Sequence, residues 1–106
     1  MDEKELKQKF SELKNLSEWE LGHFSASIFL YTLLGDERAG KKFIVESIQN
    51  TANALGAIIN YSQFANAFFL QLNDALEAIN SGEELKDVRK KIEENFGEWG
   101  AAKKFF

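Results

Sequence analysis

Residues 47–73 read SIQNTANALGAIINYSQFANAFFLQLN, and no Asp, Glu, Lys or Arg occurs among them. By length alone this stretch is able to cross a bilayer. Its content opposes that: Gln49, Asn50, Asn53, Asn60, Gln63, Asn66, Gln71 and Asn73 would each carry an amide into hydrocarbon, where every polar group needs an internal partner. One long buried helix is the other simple reading, and helical phase rejects it. Ile44, Val45, Ile48, Ala52, Leu55 and Ile59 form one apolar stripe, and Tyr61, Phe64, Ala65, Phe68, Leu72, Ala75, Leu76 and Ile79 form another. At about 100° per residue, the second stripe is rotated by more than half a turn from the first. Asn60 and Gln63 have the spacing of a capping box, Ile59 and Phe64 that of a hydrophobic staple, and Gly56 offers a stop just before them. The stretch is therefore expected to break between Gly56 and Asn60 into two amphipathic helices.

The same signals place the flanking elements. Leu6, Phe10 and Leu13 mark a helix over about 2–14. Ser17 with Glu20 makes a capping box, with Leu16 and Leu21 as its staple, so a second helix is expected over 18–34, stopped by Gly35. Asp36 is read as the cap of a third helix, 37–56. The fourth is expected over 61–80, ending at Asn80-Ser81-Gly82, and the last over 83–96, with Leu85, Val88, Ile92 and Phe96 inward. Val and Thr are scarce and Pro is absent, which disfavours strands. The expected fold is a single all-α domain, a compact four- to five-helix bundle with short connections, and 106 residues leave room for one such core. The Trp99, Lys103-Lys104 and Phe105-Phe106 tail is expected to be tied down on the bundle or on a partner.

Composition excludes several function classes. The net charge of -4 argues against a phosphate-binding protein, whose affinity comes from excess Lys and Arg. The chain has no Cys, and its N-terminal Met1-Asp2-Glu3-Lys4-Glu5 lacks the apolar core of a signal peptide, so the expected location is intracellular, in the host cell for a viral protein. His23 is the single histidine, so no metal site of the usual kind can be assembled and no cofactor is expected. Sharing a helix face with Trp19, Ala26 and Leu30, it reads as a structural group rather than a general base. The carboxylate pairs Asp2-Glu3, Asp36-Glu37, Glu83-Glu84 and Glu93-Glu94 point about 100° apart on a helix, poor geometry for a catalytic dyad. No Gly-rich phosphate loop or nucleophile elbow occurs, and no enzyme activity is expected.

Two features remain for function. The first is a set of helix faces where amides and alanines stand in place of charges. Phe43, Asn50, Asn53, Ala54 and Ala57 lie opposite Ile48 on one helix, and Asn66, Leu70 and Asn73 lie outward on the next. Charge depletion with retained polar groups is the composition of an interface centre. The helix over 18–34 carries apolar residues all round. Trp19 and Leu30 belong to a stripe that either faces another chain or makes this the central helix of the bundle. The chain is therefore read as a protein-interaction module, an assembly, adaptor or inhibitory subunit open to self-association. The second feature is a basic group, Lys86, Arg89 and Lys90 with Lys104 further on. It supports an alternative reading as an accessory subunit of a nucleic-acid complex, although Asp87 is placed to pair with Lys91 and acidic residues are interleaved. A carrier of a small molecule or lipid in a Phe-lined cavity is a further alternative, resting on the ten Phe.

Overall fold

The computed structural model describes residues 3–5 and 16–95, and every regular element among them is helical. Residues 3–5 are helical, and four helices follow: α1 Glu18–Leu34, α2 Lys41–Gly56, α3 Gln63–Asn80 and α4 Leu85–Asn95. The chain forms an all-α bundle with short connections. No helix among the described residues is long and apolar enough to cross a membrane.

α1 is the hub. It packs mainly on α3 and next on α4, while α2 leans chiefly on α3. The two apolar stripes of α1 are thereby both used inside the bundle: Phe24, Ala26, Leu30 and Leu34 are buried. The core is completed by Ile44, Ile48 and Ala52 of α2, Leu72, Ala75 and Ile79 of α3, and Val88 and Ile92 of α4. No buried side-chain polar atom of the described residues lacks a hydrogen-bond partner.

The α1–α3 contact is close. A Cβ on Gly22 would fall 2.4 Å from the Phe64 carbonyl oxygen and 2.9 Å from the Ala67 Cβ. Backbones this near leave space for alanine but not for aromatic rings. Ala65 and Ala67 are accordingly buried, whereas Phe64, Phe68 and Phe69 are only half-buried. Of the expected α3 stripe, Phe68 is a half-buried ring packed against the core, and Phe64 is half-buried beside it. The rings pack on the flank, with Phe29–Phe68 and Phe64–Phe68 centroids each 6.0 Å apart.

Local chemistry sets the helix ends. Ser17 Oγ accepts from the Glu20 N–H at 3.1 Å and donates to the Glu20 carboxylate at 3.3 Å, so α1 starts where the capping box places it. Asp36 does not cap α2. Its carboxylate accepts from the backbone N–H of Arg38 at 3.0 Å, closing a turn whose Ala39 N–H donates to the Asp36 carbonyl. With that oxygen occupied, α2 begins only at Lys41, with Gly40 at its N-cap. The break after Gly56 is present but runs longer than expected. Ile58 donates to Leu55 and Tyr61 to Ile58, and the cap is Ser62, whose Oγ accepts from Ala65 N–H at 3.1 Å, rather than Asn60. α3 ends in a Schellman motif, with Glu83 N–H to Ala78 O and Gly82 N–H to Ile79 O, both 3.1 Å. The C′ residue of that motif needs the left-handed φ of 101° that Gly82 adopts. The last helix starts at Leu85, not Glu83.

Two outcomes test this fold. Gly22→Ala should destabilise the protein by at least about 1–3 kcal/mol in chemical denaturation, because the clash is with backbone that has no rotamer to change. Near-normal stability would show that α1 and α3 are not held at this distance. The Asp36 carboxyl is held below the ordinary 3.8, first by the Arg38 backbone N–H, then by the Arg38 side chain, with burial opposing weakly. Because the folded value is the lower one, the turn keeps its full stability above about pH 4 and loses it as pH falls through the folded value. An NMR titration should place Asp36 below 3.8, and in Arg38→Ala part of the depression should persist, since the largest single contribution comes from the backbone N–H.

Candidate interaction surface

α2 and α3 form an antiparallel hairpin whose seam is marked by Gly56, where a Cβ would lie 3.5 Å from the Phe69 ring. On one side of this seam are the core residues Ile48, Ala52, Leu72 and Ala75. On the other, turned away from α1, the helical phase places Asn53 about 60° and Ala57 about 100° beyond Gly56, and Asn66 about 60° and Leu70 about 100° beyond Phe69. Asn73 falls about 40° beyond Phe69, between Phe69 and Asn66. Asn50 and Ala54 lie further round, on the outer crest of α2, with Phe43 at its N-terminal end. By this phase, eight of the sequence-selected residues lie on the outward side of the two helices. Asn50, Asn53, Ala54, Ala57 and Leu70 are exposed, and Asn66 and Asn73 half-buried. Charge appears only toward the end remote from the turn, at Glu46, Asp74 and Glu77; Lys42 reaches Glu46 at 4.0 Å.

Large apolar side chains stand out on this face and at its two ends. Phe43 is 59% exposed and Leu70 41%, and in the α2–α3 turn Ile58 is 47% and Tyr61 88% exposed. Sequence reasoning missed Ile58 and assigned Tyr61 to the inner stripe of α3. The helix starts two residues later than expected, so Tyr61 falls outside its periodicity. The usable signal was Ser62, a cap residue followed at once by the run that forms α3.

Trp19 and Leu30 do not join the surface. Leu30 is fully enclosed in the core, because α1 is sheathed by α3 and α4. It is not available to a partner chain. Trp19 packs edge-on against His23, centroids 5.1 Å apart, and is 37% exposed. The His23 Nδ1 lies 3.2 Å from Gln71 Oε1, which ties α1 to α3 and is the structural role expected of this histidine. Among the described residues, no group of three or more His, Cys, Asp or Glu is arranged to hold a metal ion.

The basic group is dispersed. Arg89 is half-buried: its Nε donates to the Tyr31 carbonyl at 3.0 Å, and its guanidinium lies 3.7 Å over the Tyr31 ring. It occupies the space beside Gly35, where a Cβ would come within 2.6 Å of Nε. Gly35 ends α1 with an ordinary right-handed φ of -90°, so its value there is room for the guanidinium rather than handedness. Lys86 pairs with Glu84 at 3.3 Å, and Lys91 with Glu83 rather than Asp87. Of the four proposed phosphate contacts, Arg89 is committed to the fold, Lys86 is ion-paired, Lys90 is exposed, and Lys104 lies outside the described residues. So do the helix expected over 2–14, apart from residues 3–5, and the tail from Phe96 onward. Of the phenylalanines behind the carrier reading, Phe29 and Phe64 both pack against Phe68 and Phe43 is exposed. The cleft between α1, α3 and α4 has a volume of about 170 Å³ and is lined by Leu30, Gln71, Asp74, Val88, Lys91 and Ile92 among others, with no Phe.

Arg89 places a cation and a planar donor at the C-terminal end of α1, on the Tyr31 carbonyl that also accepts from the Gly35 N–H. Arg89→Ala should cost about 2–3 kcal/mol in urea unfolding, and Arg89→Lys should recover less than half, because an ammonium keeps the charge but neither stacks nor forks in the same plane. Full recovery by Lys would reduce the contact to charge alone. No protein-family model matches the chain, and neither a curated protein nor a solved structure is significantly similar to it.

Proposed function

We propose that the protein is a non-enzymatic interaction module that binds protein through the outer face of the α2–α3 hairpin. The observation that carries this reading is the coincidence, on one face, of missing charge with exposed Leu70 and, at its two ends, Phe43, Ile58 and Tyr61. A solvent face normally carries Lys and Glu, as the outer side of α4 does. Here six amides, at 49, 50, 53, 63, 66 and 73, supply hydrogen-bonding groups with no ionic desolvation cost. Such a face is suited to being covered and uncovered, which is what an assembly, adaptor or inhibitory subunit requires. The alternative nucleic-acid reading has less support, because Arg89, one of its four residues, is held on Tyr31.

A photo-crosslinking residue at Leu70 should capture protein in cells, and the same residue at Lys90 should not. Leu70→Glu should reduce recovery of the captured partner at least about tenfold while leaving the thermal midpoint within a few degrees, since the site is exposed. Equal capture from positions 70 and 90 would refute the assignment of the face.

A further inference from the structure

We draw no further inference here: the strongest candidate, the cleft between α1, α3 and α4 with Asp74 on one wall and Lys91 on the other, is an open crevice in which Lys91 is already paired with Glu83 and no buried side-chain polar atom of the described residues is left without a partner, so nothing in the structure shows what would occupy it.

Discussion

The bundle depends on how closely α1 and α3 approach at Gly22. With no side chain there, the Phe64 carbonyl and the Ala67 methyl come up against the α1 backbone. That distance decides what fills the seam: alanines lie inside it and aromatic rings are displaced to its edges. It also decides the exposure of the rest. Because α3 sits tight against α1, it shields one flank of the central helix, and α4 covers another. α2 is left to lean mainly on α3, with its remaining circumference facing outward. The uncharged hairpin face is thus a consequence of helix spacing set elsewhere.

Features decided by neighbours in the chain were legible in the sequence. The Ser17–Glu20 cap, the break after Gly56 and the end of α3 at Gly82 each follow from chemistry within a few residues, whereas Gly35 is required by the distant Arg89 guanidinium. Features that depend on contacts distant in sequence were not legible. Asp36 and Asn60 have the side chains of caps, but one is occupied by the Arg38 N–H and the other is bypassed by a two-step turn. Leu30 looked as exposed as Trp19 on a helical wheel, and only the arrival of α3 and α4 encloses it. Nothing in the charge pattern of residues 86–91 shows that Arg89 reaches a carbonyl 58 residues away.

The two halves of the molecule manage polarity differently. α4 and the turn before it carry ions, with Glu83 paired to Lys91 and Glu84 to Lys86, and Arg89 stacked over the Tyr31 ring. Exposed ion pairs contribute little individually, but they keep this side solvated and discourage apolar association. The hairpin gives up that protection along most of its length. A surface without charge costs solubility, so its persistence on an otherwise charged protein needs a compensating use.

The Arg89–Tyr31 contact has a consequence for the order of folding. The α2–α3 hairpin closes through neighbours in sequence, whereas α1 must be joined by an element made much later in the chain. During synthesis, α1 therefore emerges first among these four helices, apolar around its whole circumference, and α3 shields only part of it. Its remaining flank stays open until α4 has left the ribosome and the guanidinium has closed over the end of the helix. The most hydrophobic element of the protein is thus the one that waits longest for its cover, and the interval in which the nascent chain is exposed to aggregation or to chaperones is set by the last helix rather than the first.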